Sequence, residues 1–189
     1  MIINDLVKMS EEFNMAEMEK YNPDMVTLYE IALNAGLKLA KEYGADENIV
    51  RIGIAMMDSK LYEASRLGKQ KEHVEMSLDA IKNMLKESKI DAAVKENIIK
   101  CVEEHHGVDK FYSIESEVVA NADCYKFCHP KGVLYYASML GRRFHDFNKE
   151  LVQLEYKLNE KHNALSLPLA KEELESYYDF FQRAINEAK

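Results

Sequence analysis

Asp58, His73, His105 and Asp123 are the residues of this chain best placed, by type and order, to share one site. Asp58 and Asp123 each follow apolar helical residues, where a carboxylate needs a cation or several hydrogen-bond donors. His105 extends an apolar stripe, and an imidazole there needs partners for its ring nitrogens. His73 lies at the edge of a helix whose greasier stripe is Leu78, Ile81 and Leu85, and by itself it reads as a structural or surface residue. Taken together, the order Asp, His, His, Asp on separate helical elements admits a shared site or four separately satisfied side chains. Residue spacing alone leaves both open.

Helices must position these groups. A polar segment from about Ile3 to Lys20 is closed by Asn22-Pro23-Asp24. From Met25 to Tyr43, Leu28, Ile31, Ala32, Ala35 and Leu39 repeat at helical spacing, and Gly44 supplies the stop. The third segment, Asp46 to Met57, is apolar on most sides and is expected at the centre of the core, with Asp58 at its end. Residues 59–70 read as a loop containing Lys60, Arg66, Gly68 and Lys69. A fourth helix is expected from Lys71 to Ser88. A fifth runs from Asp91 to His106, with Val94, Ile98, Val102 and His105 on one stripe and His106 off it. A sixth, Ser113 to Phe127, carries Asp123 near its end, and His129-Pro130-Lys131-Gly132 breaks the chain.

Farther on, Phe144, Phe147, Leu151, Leu154 and Leu158 form a heptad-like seam. After the turn Ala164-Leu165-Ser166-Leu167-Pro168, a second seam appears at Leu174, Tyr178, Phe181 and Ile185. So short a connection predicts an antiparallel helical hairpin. The expected organisation is a single all-α domain: an N-terminal helix in 1–22, a helical core in 23–132 and the hairpin in 133–189, packed on the core. The hairpin leaves a monomer or a homodimer open.

Composition narrows the function. The chain has 189 residues, enough for one full core, with 47% hydrophobic and 31% charged residues. A net charge of -8 opposes nucleic-acid binding, which needs a basic footprint, but leaves room for a small anion in a local basic pocket. No apolar run approaches the ~20 residues of a membrane span. Met1-Ile2-Ile3-Asn4-Asp5 lacks the pattern of a signal peptide. Cys101, Cys124 and Cys128 form no paired framework, so a reducing cytoplasm is expected, with Cys124 and Cys128 as reduced thiols rather than a metal pair.

Several stretches together resemble the HD superfamily of metal-dependent phosphohydrolases. Leu39-Ala40-Lys41-Glu42-Tyr43-Gly44-Ala45-Asp46 is similar to the end of that family's first core helix, and Ile54-Ala55-Met56-Met57-Asp58 to its His-Asp doublet helix. His73 to Leu85 and Cys101-Val102-Glu103-Glu104-His105 resemble the two following helices, and Ser116 to Asp123 the element ending in the last aspartate. Ser166-Leu167-Pro168-Leu169-Ala170-Lys171-Glu172 is similar to the tail of one branch. The resemblance covers most of residues 25 to 185 and implies an HD-like helical core and hydrolysis of a nucleotide or other small phosphate ester.

The departures are specific. The family's first histidine falls near Thr27 or Leu28, and its doublet histidine is Met57, a thioether poorly suited to the metals these enzymes use. Asn121 stands where many relatives carry another aspartate. Two outcomes follow. In one, the site is a relic without metal, Met57 fills core space, and Asp58 and Asp123 are held by Lys, Arg or backbone donors. The chain is then a small-anion or nucleotide-binding or interaction module. In the other, Asp58, His73, His105 and Asp123 hold Zn, Fe, Mn or Ni with open positions that activate a water. Lys60, Arg66 and Lys69 are then the candidates to neutralise the substrate phosphate, with Arg142, Arg143 and Lys131 as lesser ones. Glu103 and Glu104 are candidates to orient the imidazoles.

Overall fold

The structure is a computed structural model and describes residues 2–189. Among these residues every regular element is helical: α1 (Ile3–Tyr21), α2 (Val26–Tyr43), α3 (Glu47–Met57), α4 (Leu61–Arg66), α5 (His73–Lys86), α6 (Ala92–Glu103), α7 (Ile114–Cys128), α8 (Pro130–Phe144), α9 (Phe147–Asn163) and α10 (Pro168–Ala188), with short 3-10 turns at Pro23–Met25 and Gln70–Glu72. The all-α class expected from periodicity is the observed one, and no described helix is long and apolar enough to cross a membrane.

Local chemistry sets most boundaries. Gly44 ends α2 with φ +69°, a left-handed conformation that a side chain would resist. Asp46, Asp91, Ser113 and Asp146 each accept backbone N–H bonds at the start of a helix. Pro130 and Pro168 occupy first helical positions, where a missing N–H costs nothing.

Two helices make the centre. α3 packs on α1, α2, α5, α6 and α7, and its residues Ile49, Val50 and Ile52 to Met57 are all buried. α7 packs on α2, α3, α6, α8, α9 and α10, and everything from Val118 to Lys126 is buried. Gly53 allows the close approach: a Cβ there would lie 2.8 Å from both Cys101 Cβ and Val119 Cγ2. The N-terminal helix, α1, packs on α3 and α4.

Three expectations need correction. The segment after Asp58 is not a loop but contains α4, because Leu61 and Ala64 give it a face to pack on α1 and α5. The fifth helix, α6, stops at Glu103, so His105 and His106 lie in the turn leading to Gly107, whose φ is +94°. The break at His129-Pro130 is present but spans His129 alone, since Pro130 already opens α8, so the hairpin is α9–α10 alone, beginning at Phe147 and not at residue 133. The seam is interrupted there too: His145 takes φ +50°, and Phe147 is 61% exposed.

The hairpin itself is antiparallel. His162 stacks on Tyr178, Asn159 accepts from Tyr178 and Gln182, and Lys189 pairs with Glu155. Leu151, Leu158, Leu174, Phe181 and Ile185 are buried within the chain, so the two seams serve internal packing. Asn121 pins the hairpin turn to α7. Its Oδ1 accepts from the Ser166 and Leu167 backbone N–H groups, and its Nδ2 donates to Ser166 Oγ and the Glu117 carbonyl.

Candidate functional site

A cavity of about 250 Å³ opens where the ends of α3, α5, α7 and α9 meet the turn after α6. Its lining includes Asp58, His73, His106, Asp123, Lys126 and Lys161. Aromatic and apolar walls come from Tyr62, Phe127, Tyr136, Leu61 and Met139, and Lys157 and Arg143 also line it. His105 lies behind, 1% exposed.

Asp58 caps the C-terminus of α3, the negative end of the helix, where a carboxylate is disfavoured without a cation. The turn carrying it is tied to α5, since Lys60 N–H donates to Ser77 Oγ at 3.2 Å. Asp58 Oδ2 accepts from Lys126 Nζ at 2.6 Å. Lys126 Nζ also pairs with Asp123 Oδ1, three residues earlier on α7, and Lys161 Nζ holds Asp123 Oδ2. Both lysines stand in last helical turns, where a cation is favoured. Their charges balance those of the two aspartates.

These pairings shift the titrations. Burial would raise the Asp58 and Asp123 carboxyls, but Lys126, joined by Lys161 at Asp123, outweighs it and holds both well below the usual carboxylate range. Burial would lower Lys126 and Lys161, but Asp123 foremost, with Asp58 at Lys126, outweighs it and raises both.

The histidines carry defined tautomers. His73 Nδ1 donates to the Gln70 carbonyl at 2.8 Å and His105 Nδ1 to the Val102 carbonyl at 2.7 Å, because a carbonyl only accepts. In the neutral rings both Nε2 atoms then present lone pairs. They face Asp58 Oδ1 at 3.4 Å and 3.6 Å. Asp58 Oδ1 and His105 Nε2 are buried without a hydrogen-bond partner. His106 is turned the other way: its Nδ1 accepts from Lys161 Nζ at 3.2 Å, so its proton is on Nε2, donated to His73 Nε2 at 3.2 Å. Burial of its inner side, then His105 and Lys161, lower the His106 pKa, although part of the ring faces solvent. Burial would also lower His73, but Asp58 outweighs it and the net direction is up.

The structure therefore brings Asp58, His73, His105 and Asp123 around one cavity, on four different elements. It differs from the expected ligand set at Asp123, whose two oxygens are both taken by ammonium groups. His73, His105 and His106 have nitrogens within 4.8 Å of one another, the one described group of three such ligands. His105 Nε2 has a free lone pair, the His73 Nε2 lone pair accepts from His106 Nε2–H, and His106 presents its proton, so an ion at His73 would first displace the His106 bond.

The expected phosphate-binding residues do not line the cavity. Lys60 pairs with Glu17 at 3.0 Å and Glu63 at 2.8 Å, Arg66 stacks over Tyr21, and Lys69 pairs with Glu72 at 3.1 Å. The reason is α4, which turns these side chains outward or toward α1. Of the lesser candidates, Arg143 lines the cavity, while Arg142 pairs with Asp24 and Lys131 with Glu30. Glu103 pairs with Lys100 and Glu104 accepts from Tyr112 N–H, so neither orients an imidazole. Met57 is buried in the core, and Leu28, near the expected first-histidine position, lines the cavity as an apolar wall.

Sequence reasoning missed Lys126, Lys157 and Lys161. A signal existed for two of them. Lys161 continues the seam Leu151, Leu154, Leu158 at the next helical step, and Lys126 continues Val119 and Ala122, so each is a lysine on a buried stripe.

No family model matches the chain, and no curated protein matches it. Among solved structures it is similar to the crystal structure of Bacillus subtilis YpgQ, with a TM-score of 0.70 and 16% identity over 100% of this chain and 96% of that one. A likeness at that identity speaks for the fold alone.

Proposed function

We propose that this protein is a divergent HD-superfamily member whose pocket holds one divalent transition metal and hydrolyses a small phosphate ester such as a nucleotide. The observation that carries the reading is the pair of buried, unpartnered atoms Asp58 Oδ1 and His105 Nε2, faced also by His73 Nε2. Lone pairs converging on a carboxylate oxygen repel unless a cation or proton lies among them. Two imidazoles and one carboxylate oxygen fit Zn, Fe, Mn or Ni, and Asp58, His105 and His73, the last once His106 Nε2–H gives up its bond to it, are the residues that would hold the ion. Once bound, such a metal polarises a phosphoryl oxygen and lowers the pKa of a water.

The chain's own residues account for the rest. The Gln70 and Val102 carbonyls fix the two imidazole tautomers, the support that metal-binding histidines need. Arg143 stands on the cavity wall without a carboxylate partner among the described residues and is available to an anionic group, whereas Lys157 beside it is paired with Glu160 at 2.9 Å. Tyr62, Phe127 and Tyr136 offer flat surfaces to a ring.

A second reading, an anion-binding module without catalysis, is favoured by one observation. Lys126 and Lys161 neutralise Asp58 and Asp123 with no metal required. Elemental analysis of protein purified without chelator separates the two, with Asp58→Ala as control. Retained metal that Asp58→Ala loses, together with hydrolysis of a phosphate ester on a panel supplemented with Mn, Ni, Co or Zn, supports the enzyme. No retained metal and no activity on that panel reject it. The module reading then requires a thermal shift with a nucleotide or other anion, since a ligand at ~100 times its Kd adds about 2.7 kcal/mol.

A further inference from the structure

Lys126 is the least expected residue of this pocket. It is 4% exposed, yet it carries a charge into the space between two helices. Its ammonium bridges Asp58 Oδ2 at 2.6 Å and Asp123 Oδ1 at 2.5 Å. Two carboxylates drawn this close, away from water, repel each other unless a cation separates them. Asp58 adds the negative end of α3 to that repulsion. The usual answer to such a pair is a bound ion; here the chain provides the charge itself.

We infer that Lys126 is a tethered cation: its ammonium fills the space between Asp58 and Asp123 that a free divalent ion would otherwise take, and keeps such ions out of it. Three features of the chain build the device. Lys126 lies three residues after Asp123 on α7, so one helical turn delivers both the carboxylate and its cation. The end of α7 is clamped at this point, because Gly132 of α8 lies against the Lys126 carbonyl, where any Cβ would collide with it. Lys161 closes the far side by holding Asp123 Oδ2, so Asp123 has no oxygen left for an ion. Asp58 Oδ1 alone remains open, toward His73 and His105. Ammonium and ion thus divide the Asp58 carboxylate between its two oxygens.

The inference concerns the pocket of the proposed function but does not rest on catalysis. A wild-type protein that binds no metal would defeat that function and leave this test standing. The test is Mn²⁺ binding, followed by calorimetry at pH 7.5, for wild type, Lys126→Gln and Lys126→Gln/Asp123→Asn, each checked for folding by circular dichroism. Lys126→Gln is expected to gain one equivalent of Mn²⁺, at least tenfold tighter than any further site in wild type, and the double variant to lose that gain. A folded Lys126→Gln protein that binds no more Mn²⁺ than wild type, or a double variant that keeps the gain, overturns the inference. Should Lys126→Gln fold only when Mn²⁺ is present, the ion has replaced the ammonium and the inference stands. If it folds under neither condition, wild type labelled with ¹⁵N-lysine decides. The Lys126 ammonium resonance is expected to stay protected from exchange on adding Zn²⁺, and its loss overturns the inference.

Discussion

Removing Lys161 is the most direct way to weigh the buried charge network. The residue is 2% exposed, and its ammonium holds Asp123 Oδ2 and donates to His106 Nδ1. Lys161→Met keeps most of the aliphatic stem and deletes the charge. Asp123, 1% exposed, would then depend on Lys126 alone, which it shares with Asp58. Breaking a buried pair from one side costs ~3–5 kcal/mol. Because Lys126 still touches Asp123, the low end applies, about 3 kcal/mol. For a domain of this size that lowers Tm by roughly 6–12 °C. Asp123→Asn leaves the opposite imbalance, two ammonium groups on one carboxylate, and is expected to cost a similar amount. The double variant restores neutrality, with Lys126 and Asp58 still paired, so it should be more stable than the sum of the single losses by about 2 kcal/mol. Urea unfolding followed by circular dichroism at pH 7 measures all four proteins. Single losses below about 1 kcal/mol, or additivity within ~0.5 kcal/mol, would show that the four groups do not act as a unit and refute the argument.

Asn121→Ala is expected to destabilise by about 1–3 kcal/mol, because the Ser166 and Leu167 N–H groups lose their acceptor. Urea unfolding measures the loss, and an unchanged midpoint would mean that water replaces the bond. Gly53→Ala drives a Cβ to 2.8 Å from Cys101 and Val119 and should cost about 1–3 kcal/mol by the same assay. His106, with its lowered pKa, is expected to titrate well below the ordinary histidine value of ~6.5, followed by NMR of the ring. An unfolded chain binds more protons there, so acidification from ~6.5 downward removes stability, and a midpoint near ~6.5 contradicts the network. The depressed Asp58 and Asp123 act in the same direction at lower pH. Their contribution is complete above the unfolded value of ~3.9 and is lost as pH falls through the folded values. Lys126 and Lys161, raised, contribute fully below ~10.4 and lose that contribution as pH rises through their folded values. Stability is therefore expected to plateau near neutrality, which unfolding across pH tests.

The helices and much of what ends them are legible in the amino-acid order. Apolar residues at helical spacing, together with Gly44, Asp46, Asp91 and Ser113, act over a few neighbouring residues, so one-dimensional order is enough to read them. The same order singled out Asp58, His73, His105 and Asp123 but left open whether they meet; the fold brings them to one cavity. The turn after Asp58 was less legible, because α4 is too short to display a period and depends on α1 and α5 for its packing.

Which cations meet which carboxylates across the pocket is set by packing in three dimensions. Asp58 and Lys126 are 68 residues apart and Asp123 and Lys161 38 apart, and no local rule links them. Lys60, Arg66 and Lys69 sit closer to Asp58 in sequence, yet α4 carries them to other partners. In one dimension Lys126 and Lys161 show only that each continues an apolar stripe, not which carboxylate it meets. They become the charge balance of the pocket because α7 and α9 pack with their last turns against the end of α3 and the turn after α6, where burial makes every charge answer to its neighbour.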